Sequence, residues 1–249
     1  MAKKDVTLSV ALAVYNEANN IGRCLMSIAD IADEIVVVDG GSNDETVARV
    51  EEYTSHILVT DNPPIFHINK QKALDMATGE WILQLDADEV VDEALKEEIR
   101  MTIGKSNACD GYYIPRRNYF LGDWLRKGGQ YPDYVIRLFR NGRGLFPQKS
   151  VHEQIEIDGS VGYLSHPMDH YSYTSVAQYW KKANAYIRLT AKEDHMSALG
   201  FLFIKPLSTF FALFIRHKGI LDGWRGFLFA LFSALHFPKA YFVWRGRRL

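Results

Sequence analysis

Apolar residues fall into short runs separated by polar, Gly- and Asn-containing breaks, and the pattern changes after about Cys109. Val6–Val14 is a mostly apolar run and predicts a buried strand. Asn19 or Asn20 can cap a helix that continues to about Ala29. Glu34–Asp39 reads EIVVVD, a β-branched run suited to a central parallel strand. Gly40–Asp44 turns the chain into a helix over roughly Glu45–Tyr53. Ile57–Thr60 is a short strand, Asn62–Pro64 a break, Asn69–Ala77 a helix, Trp81–Asp86 a strand and Asp92–Ile103 a helix. Such strand–helix alternation predicts an α/β fold on a doubly wound sheet.

Beyond Cys109, the strand candidates are Tyr112–Pro115, Val135–Phe139, Gln154–Ile157 and the region near Tyr163, punctuated by Gly and Pro. These make the sheet mixed in its second half. Ser175–His195 predicts a long helix with Tyr179, Ala183, Tyr186 and Thr190 roughly on one face. The expected division is an α/β domain over 1–195 and a helical region over 196–249.

That last region is strongly apolar yet interrupted. Leu199–Ile215 carries Lys205-Pro206, and Gly226–Trp244 carries His236, Pro238 and Lys239. Neither run reaches the roughly 18 clean apolar residues of a spanning helix. Amphipathic helices lying in a membrane interface fit better, and an ordinary helical cap with an apolar core is the alternative. Charge supports the first reading. Residues 216–249 hold seven Lys/Arg against Asp222 alone, a net +6 in a chain whose total is −1. A basic, aromatic-rich tail on an acidic domain is drawn to anionic surfaces.

Composition otherwise excludes special classes: 47% hydrophobic and 24% charged is ordinary for a globular chain. Two cysteines, Cys24 and Cys109, make no disulfide framework and read as free thiols of a reducing compartment. The start, MAKKDV, lacks the apolar stretch of a signal peptide, so cytoplasmic residence is expected. Nothing in the charge distribution suggests a nucleic-acid partner.

The most informative chemistry is Gly79–Glu89, GEWILQLDADE, where an apolar run ends in Asp86 and Asp88. In a strand, an i, i+2 spacing puts both carboxylates on one side. At a strand's carboxyl end they face the crevice where open α/β sheets bind ligands. Such oxygen donors suit a divalent cation holding a diphosphate. The competing reading is an acidic strand-to-helix turn in which Asp88 or Glu89 caps the following helix.

Four features stand in one order: Ala13–Glu17 (AVYNE), Val38–Thr46 (VDGGSNDET), Asn69–Gly79 (NKQKALDMATG) and Leu85–Glu89 (LDADE). Together they resemble family 2 glycosyltransferases, inverting enzymes with the Rossmann-like GT-A fold that use nucleotide-diphospho-sugars. Further matches at Gly111–Gly122, Arg137–Arg140, Val151–Glu153 and His170–Tyr173 are similar to the lipopolysaccharide-core β-1,4-glucosyltransferase branch. The resemblance implies a UDP-sugar donor, with Asp39 on the uracil, Ala13 and Tyr15 against the base, and Glu17 near the nucleotide. Each has a plainer reading: Asp39 caps its turn, Tyr15 packs as an aromatic, and Glu17 favours a helix dipole. Lys70 stands where the family usually has Arg, so a cation for the diphosphate is kept without its bidentate fork. On a solvated helix face it would do nothing of the kind.

By the same resemblance, Asp86 contacts ribose or a metal-bound water, Asp88 ligates Mg²⁺ or Mn²⁺, and His170 completes the metal shell. The plainer reading of His170 is a core or hydrogen-bonded histidine. Inverting transfer needs a carboxylate base. The family's usual Glu-Asp pair has no clear counterpart here, so Glu153 is the candidate, oriented by His152, unless it merely pairs with Lys149. Arg116, Arg117 and Arg137 could grip phosphates. The implied activity is transfer of a hexose, glucose from UDP-glucose foremost, to a hydroxyl of a lipid-linked or lipopolysaccharide-type glycan at the inner face of the plasma membrane. The alternatives are a polyprenyl-phosphate or peptide acceptor, or a non-catalytic nucleotide-sugar-binding membrane module.

Overall fold

A computed structural model describes residues 7–147, 154–192 and 196–246. In chain order its elements are β1 (Leu8–Val14), α1 (Ala18–Ile28), β2 (Glu34–Asp39), α2 (Thr46–Glu51), β3 (Ile57–Val59), α3 (His67–Met76), β4 (Trp81–Leu85), β5 (Glu89–Val90) and α4 (Glu93–Ile103). There follow β6 (Gly111–Phe120), β7 (Asp123–Trp124), β8 (Asp133–Arg140), β9 (Gly144–Leu145), β10 (Glu156–Ile157), β11 (Val161–Tyr163), β12 (Met168–Tyr173), α5 (Val176–Thr190), α6 (Lys205–Phe211) and α7 (Gly223–Gly246). Wide helical turns, Gly200–Ile204 and Ala212–Arg216, flank α6, and a tight turn, Gly219–Asp222, leads into α7.

The chain forms two compact units, 1–116 with 134–170 and 117–133 with 171–249. In the first, β3, β2, β1 and β4 are parallel neighbours, and β8 joins β4 antiparallel. The sheet is therefore mixed, as expected. Alternation along β1 and β4 explains the layers. Val10, Leu12, Trp81, Leu83 and Leu85 face a core with Ile21, Leu25 and Ile28 of α1 and Leu95 and Ile99 of α4. Ala11 and Ile82 point the other way, against Ala73 and Leu74 of α3. Leu83 is fully buried at the centre. Leu83→Ala should cost about 2–5 kcal/mol of unfolding free energy, read from urea denaturation.

Several local expectations change. Asn19 and Asn20 lie inside α1, which starts after Glu17 without a side-chain cap. Asp92, not Asp88 or Glu89, caps α4: its carboxylate accepts the Leu95 amide at 2.9 Å. β6 extends well past Pro115, and β12 arises where no strand was expected. Its His170 sits beside Glu89 of β5.

The second unit gathers α5–α7 with residues 117–133, so its boundary is not at 195. The reason is aromatic packing. Phe120 lies 5.9 Å from Tyr179 and 5.5 Å from Phe229, centroid to centroid, and Tyr179 lies 5.2 Å from Phe232. Ser175 caps α5 by accepting the Gln178 amide at 3.1 Å. The buried face of α5 carries Tyr179 and Ile187, whereas Tyr186 is exposed. Gly226 allows α7 to start against the preceding turn: a β-carbon there would collide with the Gly219 carbonyl. Among the described residues, one helix, Gly219–Gly246, is long and apolar enough to cross a membrane, with mean hydropathy 1.3 and few buried positions.

Candidate functional site

The first unit brings three strand tips together. Leu12 pairs with Leu85 and Val14 with Asp39, so β1 ends between the tips of β2 and β4. At spacings of about 4.8 Å per strand, the two outer tips are roughly 10 Å apart. That places Asp39 and the Asp86–Asp88 turn at opposite sides of one opening.

The loops after β1 and β2 brace each other. Asn16 takes a left-handed conformation, φ 54°. Its amide donates to Ser42 Oγ at 2.8 Å, and its side-chain oxygen accepts the Asn43 amide at 2.9 Å. The Glu17 amide donates to Thr46 Oγ1 at 2.8 Å. Asp39 is buried and accepts the Gly41 and Ser42 amides at 3.1 and 2.8 Å, with the Ser42 hydroxyl on its other oxygen. The plain reading of Asp39 as a turn cap is thus realised. Gly41, at φ +77°, suits this turn because no β-carbon is present to strain it. Ala13 is partly buried and Tyr15 exposed at the same mouth.

The acidic motif departs from the strand argument. β4 ends at Leu85, so Asp86–Asp88 occupy a turn and the two carboxylates meet different partners. Asp86 receives the Lys70 ammonium on one oxygen and Arg137 Nη2 on the other, the latter at 2.7 Å. Burial alone would raise its pKa, but Lys70 and Arg137 outweigh it and hold the carboxyl well below the usual range. Lys70 is itself buried on α3, and its ammonium lies 5.1 Å from the Phe66 ring. A solvated-face reading of Lys70 is therefore excluded.

Arg137 is not disposed to grip a phosphate. It is buried, bonds to Gln84, and donates to Asp86 and, at 2.8 Å, to Glu89. Burial works against its charge, yet Glu89 and Asp86 raise its pKa. Glu89 is 0% exposed, and it also meets Arg116 at 3.3 Å and accepts the Asp86 amide at 2.9 Å. Sequence reasoning missed Glu89 as the organiser of this turn. Its signal was the Asp-Glu adjacency after an apolar strand, opposite an Arg in another apolar run. Behind the turn, the Cys24 thiol donates to the Asp86 carbonyl at 3.6 Å. Burial, then the charge of Glu89, pushes that thiol's pKa up. Cys24 and Cys109 are both free.

Asp88 is 8% exposed, and its oxygen lies 3.6 Å from His170 Nε2. That gap is long for a hydrogen bond but lets both atoms reach one cation at about 2.0–2.2 Å. Among the described residues no three His, Cys, Asp or Glu side chains gather closely enough to hold a metal. The expected three-donor set of Asp86, Asp88 and His170 is thus represented by two. Such a pair fits a Mg²⁺- or Mn²⁺-type ion that takes its other ligands from phosphate oxygens and water. Glu153 and His152 lie outside the described residues, and Arg117 belongs to the second unit.

The family model for glycosyl transferase family 2 matches residues 9–168. The lipopolysaccharide core biosynthesis glycosyltransferase LpsC of Rhizobium meliloti (strain 1021) is 30% identical over 249 residues, covering 92% of this chain and 88% of its own. An uncharacterized glycosyltransferase of Rickettsia felis is 28% identical over 202 residues, 75% of this chain and 69% of that one. The crystal structure of S. aureus TarS 1-349 in complex with UDP superposes with TM-score 0.51 at 18% identity, covering 87% of this chain and 75% of that chain. At that identity the match speaks to the fold, the α/β GT-A arrangement expected from the sequence.

Proposed function

Since this chain belongs to glycosyl transferase family 2 and is a glycosyltransferase, we propose that it moves a hexose from a UDP-sugar, with inversion and metal dependence, to a hydroxyl of a lipid-linked or lipopolysaccharide-type glycan. One observation carries the reading: Asp86 and Asp88 sit at the tip of β4 with Lys70 and His170 on them, across one strand from Asp39. Asp39 would accept the uracil N3–H, with Ala13 and Tyr15 against the base and Glu17 near the nucleotide. Asp86 would hold the ribose or a metal-bound water.

Charge balance supports a diphosphate ligand. Asp86, Asp88 and Glu89 are matched by Lys70, Arg116 and Arg137. A bare divalent ion would unbalance this group, whereas an ion arriving with a diphosphate would not. Lys70 can then exchange Asp86 for a phosphate oxygen while Asp86 keeps Arg137, so neither group is left unpaired. Asp88 and His170 would hold the cation. Bound there, it supplies Lewis-acid neutralisation of charge on the departing nucleoside diphosphate.

Glu153 would deprotonate the acceptor hydroxyl. Glu153→Gln should lower kcat by at least about 10²-fold while UDP binding persists; near-normal turnover would move the base elsewhere. The similarity to LpsC, named for lipopolysaccharide core biosynthesis, supports a lipopolysaccharide-core acceptor; glucose as the sugar and action at the cytoplasmic face of the membrane complete the proposal. Incubating purified protein with Mn²⁺ and a panel of UDP-sugars, with and without core oligosaccharide, tests the acceptor and the sugar. Sugar released only to polyprenyl phosphate or peptide would replace the acceptor.

A further inference from the structure

We propose that the turn between α6 and α7, joined to the loop at Arg126–Lys127, is a docking surface for an anionic lipid bilayer. This rests on the proposed action at a membrane and names the part of the chain that meets it.

The turn is apolar where a soluble turn would be polar. Ile220, Leu221 and Trp224 are 53, 69 and 55% exposed. Cations surround them: Arg216 and Lys218 are exposed just before, and Arg225 lies with its guanidinium 4.5 Å from the Trp224 ring. The distant loop is tied to the same place. Asp222 accepts the amides of Arg126 and Lys127 at 3.0 and 2.9 Å. The Gly128 amide donates to the His217 carbonyl at 2.9 Å, and Arg225 donates to the Leu121 carbonyl at 3.0 Å. The side chains of Arg126 and Lys127 are exposed as a result. The single acid of the tail thus serves backbone amides, and although Arg126 meets Asp123 at 3.4 Å, that pair is exposed and Arg216, Lys218 and Lys127 present further charge to outside anions.

Apolar tips ringed by Lys and Arg, with Trp at the boundary, are the composition of an interfacial element. A spanning role for α7 fits less well. His236 Nε2 lies 3.1 Å from Thr190 Oγ1, and the Lys239 ammonium lies 3.9 Å from the Trp180 ring, so the later half of α7 is engaged with α5. Negative headgroups complement the cations, while Ile220, Leu221 and Trp224 enter the acyl boundary.

The test is sedimentation of the full-length protein with vesicles of phosphatidylglycerol and phosphatidylcholine, compared with phosphatidylcholine alone. The expected result is binding to the anionic vesicles, weakened by salt, with a blue shift of tryptophan emission. Arg126→Glu with Lys127→Glu should lower partition by at least about 20-fold. Leu221→Asp should abolish the blue shift. Both variants should keep Mn²⁺-dependent UDP affinity, which shows that they fold and separates this idea from the reading of the active site. Equal partition of the charge-reversal variant and wild type, equal binding to neutral vesicles, or retention that no salt or substitution relieves would each overturn the proposal. The last result would indicate a spanning helix.

Discussion

Asp88→Asn is expected to remove the Mn²⁺-dependent part of UDP affinity and to lower turnover by roughly 10³-fold or more, the several kcal/mol that a Lewis-acid cation contributes to a departing diphosphate. The side chain is nearly buried and meets His170 at 3.6 Å, so the amide is almost isosteric in that space. What it lacks is the charge. A neutral amide with His170 forms a much weaker site, because a hard cation needs anionic oxygen. Folding should be spared, since the amide keeps the size of Asp88 and the Glu89–Arg137 contacts of the turn are left in place. Titration calorimetry of UDP with and without Mn²⁺ separates the outcomes. A variant that loses metal-free UDP binding as well has lost its shape, and one that keeps the Mn²⁺ enhancement places the cation elsewhere. His170→Ala should shift the same quantity in the same direction, but less, because the carboxylate charge remains.

The half of the chain before Cys109 was legible because its central strands, β1, β2 and β4, are buried on both faces. Such strands read as apolar runs whatever their neighbours, and the helices between them carry their own spacing. β6, β8 and β12 depend on partners far away in sequence, so their lengths follow pairing rather than local composition. This is why β12 escaped notice and β6 looked less than half its length. The motif was readable and its geometry was not. The i, i+2 argument assumed a strand through Asp88, but Glu89 accepts the Asp86 amide and turns the chain just after Leu85. Arg137 was legible only as a cation in an apolar run. Its burial beside Glu89 is tertiary, and it converts an expected phosphate ligand into a support for Asp86. Likewise, the apolar tail announced itself, but its union with the Arg126 loop rests on Asp222.

Arg137→Met tests that support. The methionine keeps most of the volume and removes the charge, leaving Glu89 at 0% exposure with one remaining cation, Arg116 at 3.3 Å. Breaking a buried ion pair from one side costs about 3–5 kcal/mol. The residual Arg116 contact places the expected loss near the lower end, about 3 kcal/mol in urea unfolding. Arg137→Lys should recover only part of it. One ammonium cannot span Gln84, Asp86 and Glu89 as the planar fork does. The deficit should also depend on acidity in a defined direction. Asp86 has its pKa depressed in the folded protein, so the stability from its pairing is present above the unfolded-state value of about 3.9 and fades only as pH falls through the lower folded value. The share of the gap that comes from Asp86 should therefore stay constant from neutrality to about pH 4 and shrink only in stronger acid. No gap at all would mean that Glu89 does not need Arg137, and that the rigidity of the Asp86–Asp88 turn has another source.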